Sequence, residues 1–192
     1  MMLLLLSAIE VLQLVAGTEE QQQQMRARYT YREVQENWRL DPYGRRIADS
    51  ARTKTFDMVM LNGHRYRKLI ERNGRPLTPA EAWEVEEDMK RFAPPKLESN
   101  FLRDLHKSHQ LTVESCVILA QGQSKRHEFT FDPATNVILR QITEGNGTRL
   151  KIDYQRLPDG TSMPQRAEVD FTIGDVHGIQ ISTFSNFTPN WK

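Results

Sequence analysis

Five histidines and one cysteine are the residues of this chain whose chemistry could support metal binding or nucleophilic catalysis. His106 and His109 lie three positions apart on a predicted helix, with Asp104 beside them. Imidazole and carboxylate groups on one helix face can hold a zinc ion when further ligands complete its tetrahedral shell. No third ligand follows at the spacing of a zinc motif, so the pattern favours an exposed helix end and predicts no metal site.

A cysteine nucleophile requires a basic partner that stabilises its thiolate. Cys116 lies in the apolar run 113–120 without an adjacent basic residue, which favours a buried structural thiol. A contact between Cys116 and His127 across a hairpin is the remaining nucleophilic arrangement. The serines lack the Gly-x-Ser-x-Gly elbow of hydrolases, and the glycine turns lack the lysine and spacing of a phosphate-binding loop. The sequence therefore predicts no catalytic residue and no cofactor, and we expect a protein without enzymatic activity.

Any functional side chain must be positioned by a small number of helices, of which the clearest spans residues 78–92. Thr78 can cap the free backbone N–H groups, Pro79 suits the first helical turn, and Glu81 completes a capping box. Apolar residues recur on one face of this helix, at Ala82, Val85, Met89 and Phe92. A second short helix is predicted from the spacing of Leu97, Phe101 and Leu105.

Residues 1–17 permit two interpretations. Their apolar length, with Val15 and Gly17 at a suitable cleavage position, is typical of a secretory signal peptide. No lysine or arginine precedes the apolar stretch, however, and Glu10 interrupts it. The alternative is an amphipathic helix with its apolar side chains on one side, at Leu5, Ile9, Leu12 and Val15. Neither interpretation predicts a transmembrane span, because about 20 uninterrupted apolar residues would be required.

Alternating apolar and polar residues predict β-strands in the rest of the chain. Three long antiparallel strands are expected between residues 29 and 72, and six shorter ones from residue 111 onward. A single antiparallel sheet with one apolar face must be covered on that face. We therefore predict an α+β fold for a single domain of residues 1–192. A strongly curved sheet of about nine strands would form an unclosed half-barrel, with the helices covering its concave face.

The charge balance does not favour nucleic acid as a partner. Lysine and arginine total 26 against 25 for aspartate and glutamate, and the two signs interleave along the chain. A local basic stretch over two strands consists of Arg45 and Arg46, followed by Arg65, Arg67, Lys68 and Arg72. It could contact an anionic head group or a partner protein, although the pattern favours a solvated outer face of the sheet.

Several short turn and strand motifs carry a likeness to a known superfamily. They include Tyr29-Thr-Tyr-Arg32, Asp41-Pro-Tyr-Gly44 and the segments at residues 61–69, 73–81, 149–154, 157–164 and 183–187. In these segments the chain resembles an exported bacterial branch of the LolA/LolB-like superfamily of outer-membrane lipoprotein-sorting proteins. The resemblance implies an unclosed β-barrel with a helical lid and a periplasmic or cell-envelope location. It also implies an apolar cavity, which takes acyl chains in the best-known relatives.

The function that this resemblance implies is the non-enzymatic binding of a lipid or lipoprotein acyl chain between the sheet and its helical lid. The candidates for lining such a cavity are large apolar side chains, at Trp38, Phe56, Met58, Trp83, Met89, Phe129, Phe171 and Phe184. The same side chains could instead fill the interior completely. In that alternative the chain is an envelope sensing or protein-interaction domain, which contacts a partner protein through a sheet edge or through its basic strands.

Overall fold

The computed structural model of the chain describes residues 6–93 and 101–190. These residues form three α-helices, α1 (Ala8–Arg26), α2 (Pro79–Lys90) and α3 (Phe101–Asp104), with short 3₁₀ turns at Ala48–Ser50 and Leu105–Lys107. The strands are β1 (Tyr29–Arg39), β2 (Arg52–Leu61), β3 (His64–Arg72), β4 (Arg75–Pro76), β5 (Gln110–Glu114), β6 (Val117–Gln121), β7 (Lys125–Phe131), β8 (Ile138–Gly145), β9 (Thr148–Arg156), β10 (Ser162–Ile173) and β11 (Val176–Pro189). None of the described helices combines the length and the hydropathy that a membrane-spanning segment needs.

The eleven strands belong to one sheet, in the order β4-β3-β2-β1-β11-β10-β9-β8-β7-β6-β5. Strands β4 and β5 stand at the two ends of this order, so the sheet of the described residues is open. The predicted α+β class and unclosed antiparallel sheet are confirmed. The chain divides into two compact units, which we describe separately. Unit 1 comprises residues 1–26 and 97–169, and unit 2 comprises residues 27–96 and 170–192. The assignment of residues 1–192 to a single domain stays a prediction.

The sheet has two strands more than predicted, for two local reasons. The apolar run 113–120 is a hairpin, in which Glu114 pairs with Val117 around the two-residue loop Ser115-Cys116. Ser115 adopts a φ of 55°, the positive value that glycine or asparagine usually supplies in such loops. Strand β4 contains only two residues and pairs with the end of β3, so it is too short to show a periodicity.

Unit 1 is organised around α1, whose apolar side packs into the main hydrophobic cluster. Val11, Leu12, Val15 and Ala16 are buried there with side chains from α3 and from strands β6 to β8, including Leu102, Ile118, Phe129, Phe131 and Ile138. The predicted apolar side of this helix is partly wrong, because Ile9 is 49% exposed. Leu5 lies outside the described residues.

The second half of α1 is attached to the rest of unit 1 by polar contacts. Gln22 accepts a hydrogen bond from the backbone N–H of Ser162 (2.6 Å) and donates to the carbonyl of Gly160 (3.4 Å). Arg26 donates to the carbonyl of Ser162 and forms an ion pair with Glu19. Because Gln22 and Arg26 are buried, these contacts satisfy groups that would otherwise be desolvated without a partner.

The predicted second helix is shorter than its spacing suggested. Phe101, which begins α3, is 47% exposed, whereas Leu102 and Leu105 are buried. Leu97 lies outside the described residues. Here a four-residue helix is followed by a 3₁₀ turn, which has fewer residues per turn than an α-helix. A spacing of four therefore does not identify the residues on the buried side.

In unit 2, α2 begins with the predicted capping box. The backbone N–H of Glu81 donates to Oγ1 of Thr78, and the carboxylate of Glu81 accepts from the backbone N–H of Thr78. Arg75 also donates to Glu81 at 2.9 Å. The hydrogen bond from Arg75, followed by those from Thr78, lowers the pKa of Glu81 to about 2. The other end of the helix contacts β3, where the rings of Phe92 and Tyr66 meet edge to face at 5.2 Å.

Substitutions on α1 test whether this helix is part of the folded core. Leu12 is fully buried, whereas Leu14 on the same helix is 47% exposed. We expect Leu12→Ala to lower the free energy of unfolding by about 2–5 kcal/mol, since it removes buried methyl groups and leaves a cavity. Leu14→Ala is the matched control and should change it by less than about 0.5 kcal/mol. Chemical denaturation provides the measurement, and equal effects of the two substitutions would contradict the packing of α1.

Candidate functional site

A cavity of about 450 Å³, open to solvent, lies at one end of the strands of unit 2. The end of β1 and the start of β11 meet there, and the β1–β2 connection forms another part of the wall. Its apolar lining consists of Trp38, Ile47, Phe171 and Val176. Small-molecule sites have volumes of roughly 300–1,000 Å³ and mainly apolar linings, so this cavity has the size and character of a ligand site.

The β1–β2 connection, residues 40–51, is held against the end of β1 by hydrogen bonds. The N–H of Ile47 donates to the carbonyl of Arg39 (3.0 Å), and the N–H of Arg39 donates to Oγ of Ser50 (2.8 Å). The Asp41-Pro-Tyr-Gly44 segment forms the predicted turn, in which the N–H of Gly44 donates to the carbonyl of Asp41. These bonds place Ile47 in the cavity wall.

Gly178 allows Phe171 to lie across the neighbouring strand. A Cβ atom at position 178 would stand 2.6 Å from Cζ of Phe171, far inside van der Waals contact. Only glycine permits this close approach, so the position of the Phe171 ring depends on the absence of a side chain there.

Trp38 contributes a polar group as well as an aromatic surface. The guanidinium of Arg46 lies 5.2 Å from the centroid of its indole ring, a cation–π geometry. The indole N–H of Trp38 is buried and has no acceptor among the described residues. A buried donor without a partner costs about 1–3 kcal/mol. Because this N–H is enclosed by the protein, the surface that Trp38 presents to the cavity is aromatic.

The eight predicted lining residues are only partly brought together. Trp38 and Phe171 line the cavity of unit 2. Phe56 is buried beneath the guanidinium of Arg67, and Met58 lines a separate groove of about 250 Å³.

The other predicted residues have different surroundings. In unit 2, Phe184 contacts the ring of Tyr31, Met89 is half-buried on α2, and Trp83 is 61% exposed. Phe129 is fully buried in the core of unit 1.

The prediction missed Ile47, Val176 and Gly178. Ile47 is a large apolar residue that follows two arginines in the connection, which is a signal that could have been used. Gly178 gives no signal of its own, because its role depends on the position of Phe171.

The predicted basic stretch of β3 is divided between two roles. Arg67 donates to both carboxylate oxygens of Glu33 (2.7 and 2.8 Å) and to Oε1 of Gln35 (2.6 Å). Glu33 is 6% exposed and also accepts a hydrogen bond from Oγ of Ser182 (2.7 Å). Arg67 therefore neutralises a buried carboxylate, whereas Arg65 is exposed and remains available to solvent.

This difference predicts unequal effects of two arginine substitutions on β3. Arg67→Met should lower the free energy of unfolding by about 2 kcal/mol, because it leaves the buried carboxylate of Glu33 without its cation. Arg65→Met, the matched control, should change it by less than about 0.5 kcal/mol. Urea titration of both variants is the measurement. A neutral effect of Arg67→Met would show that Glu33 does not depend on this ion pair.

Two histidines, His109 and His127, lie close together in unit 1. The rings of His109 and His127 are 5.1 Å apart, and Nδ1 of His127 lies 3.0 Å from the hydroxyl of Thr143. Asp104 pairs with Lys107. Within the described residues, no group of three histidine, cysteine, aspartate or glutamate side chains could hold a metal ion.

In the described part of the chain, neither Cys116 nor the Ser108–His109 pair forms a catalytic arrangement. Cys116 is half-buried in the two-residue loop between β5 and β6, and its carbonyl accepts a hydrogen bond from the N–H of Phe131. His127 instead pairs with Ala120, further along the strands. Oγ of Ser108 lies 2.9 Å from Nδ1 of its neighbour His109. Nε2 of that ring is buried without a partner, so no carboxylate among the described residues orients the imidazole as in a catalytic triad.

His127 makes the stability of the protein sensitive to pH. It is 7% exposed, and burial, followed by the nearby His109 and Lys125, lowers its pKa below the usual value of about 6.5. The unfolded chain therefore binds a proton at a higher pH than the folded chain does. The free energy of unfolding should fall as the pH decreases below about 6.5, and this loss should level off below the pKa of the folded state.

The contribution of His127 can be isolated by comparing two variants. We expect His127→Gln to reduce the slope of the free energy of unfolding against pH between about pH 6.5 and pH 5. His64→Gln, at an exposed position at the start of β3, should leave the contribution of His127 to that slope intact. Unchanged slopes in both variants would assign the acid sensitivity to other groups.

No family model matches the chain, and no curated protein sequence matches it. Comparison of folds finds solved structures that align over almost its whole length. A Vibrio parahaemolyticus domain described as an outer membrane lipoprotein-sorting protein has 9% identity and a TM-score of 0.45, with 95% of this chain and 93% of that chain covered.

Two further structures align at lower scores. A LolA superfamily protein from Nitrosomonas europaea has 7% identity and a TM-score of 0.35, with coverage of 97% and 95%. The Pseudomonas aeruginosa MucA/MucB complex has 10% identity and a TM-score of 0.29, with coverage of 96% and 99%. At identities of 7–10% and TM-scores below 0.5, the similarity to these three structures is one of fold alone.

Proposed function

We propose that this chain is a non-enzymatic lipid-binding protein of the bacterial cell envelope, which holds an acyl chain in the cavity of unit 2. The observation that carries the proposal is the apolar lining formed by Trp38, Ile47, Phe171 and Val176 around a volume of about 450 Å³. The hydrocarbon part of an acyl chain has no polar groups that need hydrogen-bond partners. A cavity of this kind can therefore bind it through burial of apolar surface alone. The envelope location follows from the resemblance of the turn motifs and is part of the proposal.

The cover of the proposed site differs from the helical lid that the resemblance implies. The β1–β2 connection supplies Ile47 and the 3₁₀ turn Ala48–Ser50 to the cavity wall, whereas α2 supplies no residue to it. This connection is attached to β1 by a few hydrogen bonds and is largely exposed. We therefore assign to residues 40–51 the movement that admits and releases the acyl chain.

Burial of an acyl chain predicts a dependence of affinity on chain length. Each buried methylene contributes about 0.8 kcal/mol, which corresponds to about a fourfold increase in affinity. Saturated fatty acids from octanoate to hexadecanoate should therefore displace a fluorescent fatty-acid probe with increasing potency, until the cavity is filled. Native mass spectrometry of the purified protein should show the same ligands bound with a stoichiometry of one.

A cavity-filling variant locates the binding to this site. Val176→Trp places a large side chain in the lining and should weaken hexadecanoate binding by at least about tenfold. Ile173→Trp is the control, since Ile173 is at the end of β10, is 71% exposed and does not line the cavity. Equal affinities of the two variants for hexadecanoate would show that the acyl chain does not bind in this cavity. Ligand-free spectra with no probe displacement would reject acyl-chain binding altogether.

A second candidate is a protein-interaction domain, and the packing of unit 1 favours it. Phe129, Phe131, Ile118 and Leu12 are almost completely buried against one another, so their own side chains fill the interior beneath α1. A chain without an internal ligand would act through its surface, where Arg65 of β3 and the end strand β5 are exposed to a partner protein. A correctly folded protein that binds no acyl chain in the experiments above would support this second candidate.

A further inference from the structure

We propose that the cavity of unit 2 selects single-chain amphiphiles with an anionic head group, whose negative charge is bound by Arg39, Arg46 and Arg52. This inference rests on the proposed function, because it assigns a head group to the acyl chain that the cavity would hold. It concerns the polar rim of the cavity, which the apolar lining leaves unexplained.

The arginines of unit 2 differ in whether they have a carboxylate partner. Arginines that lie within 4 Å of a carboxylate oxygen are Arg32, Arg45, Arg67, Arg72, Arg75 and Arg91. Within the described residues, Arg39, Arg46 and Arg52 have no carboxylate at that distance. A protein surface normally places its arginines near acidic side chains. Arg65 also lacks such a partner in the described residues, but it does not line the cavity. Three unpaired guanidinium groups beside one cavity therefore indicate a place for an external anion.

Arg39, Arg46 and Arg52 all lie at or beside the cavity. Arg39 and Arg52 line the cavity, and Arg46 is stacked on the ring of Trp38, which also lines it. Arg52 donates to the backbone carbonyls of Ala51 (2.7 Å) and Asp49 (3.3 Å), which holds its guanidinium near the rim. Asp49 is the one carboxylate in the lining. Three positive charges against one negative charge give the rim an excess of positive charge.

These features define the chemical class of the ligand. The apolar lining fits a hydrocarbon chain, and the planar guanidinium group binds carboxylates and phosphates through paired hydrogen bonds. Fatty acids and single-chain phospholipids share these two parts. Neutral alcohols with the same chain lack the anionic part, and choline esters of phosphate add a positive charge that opposes the rim.

Four ligands with one chain length separate the head group from the chain. Hexadecanoate, hexadecyl phosphate, hexadecanol and hexadecylphosphocholine would be compared by displacement of a neutral fluorescent lipid probe. We expect the two anionic ligands to bind on the order of tenfold more tightly than hexadecanol, and this preference to shrink in about 1 M salt. The comparison of hexadecanoate with hexadecyl phosphate shows whether the natural head group is a carboxylate or a phosphate.

Two variants assign the preference to the proposed arginines. The double variant Arg39→Gln with Arg52→Gln should lose the preference for anions, so that its affinities for hexadecanoate and hexadecanol become about equal. Arg65→Gln is the matched control, because Arg65 is another exposed arginine without a carboxylate partner in the described residues and does not line the cavity. It should retain the full preference.

The outcomes distinguish this inference from the proposed function. Equal binding of hexadecanol and hexadecanoate would overturn the head-group selection and leave acyl-chain binding intact. A loss of the preference in Arg65→Gln as large as in the double variant would also overturn it, by showing a general effect of surface charge. Absence of binding by all four ligands would reject the proposed function itself.

Discussion

The buried carboxylate of Glu33 is the contact on which the arrangement of unit 2 depends. Strand β1 lies between β2 and β11, and Glu33 stands directly opposite Phe56 and Phe184 on these neighbours. Its carboxylate accepts hydrogen bonds from Arg67 of β3 and Ser182 of β11. A buried charge is tolerated only when such partners are present. A shift of β1 by one residue would turn Glu33 to the other face of the sheet and break these bonds, so the carboxylate holds the strands in one register.

The same register creates the cavity at the end of the strands. It places Trp38 opposite Ile179 and Arg39 opposite Gly178. Because position 178 has no side chain, Phe171 can lie across it, and the connection after β1 then folds over the strand end. Unit 1 differs from this arrangement, since α1 fills its interior with Val11, Leu12 and Val15. One fold class thus supplies a packed core in one unit and an open apolar cavity in the other.

The sequence predicted those parts of the fold that depend on neighbouring residues. The capping box at Thr78 and Glu81 and the turn at Asp41-Pro-Tyr-Gly44 require only local hydrogen bonds, and both form as predicted. The hairpin at Ser115 was not predictable from turn residues, because a serine there adopts a positive φ that the paired strands impose. The spacing of Leu97, Phe101 and Leu105 indicated a short helix in this region, but Phe101 is exposed, since a short helix has no regular apolar side.

For the candidate site, the sequence by itself determined which residue types are involved, namely large apolar side chains. It did not determine which of these side chains lie together. Large apolar side chains on strands indicate buried positions, and this property selected Trp38 and Phe171 together with Phe129, which fills the core of unit 1. Only the tertiary structure decided which of them line a cavity, because this depends on strand register, on the space above Gly178 and on the path of residues 40–51. The roles of Arg65 and Arg67 were decided in the same way. Two arginines on one strand have the same chemistry in the sequence, and only the position of Glu33 on β1 makes one of them structural and leaves the other free in solvent.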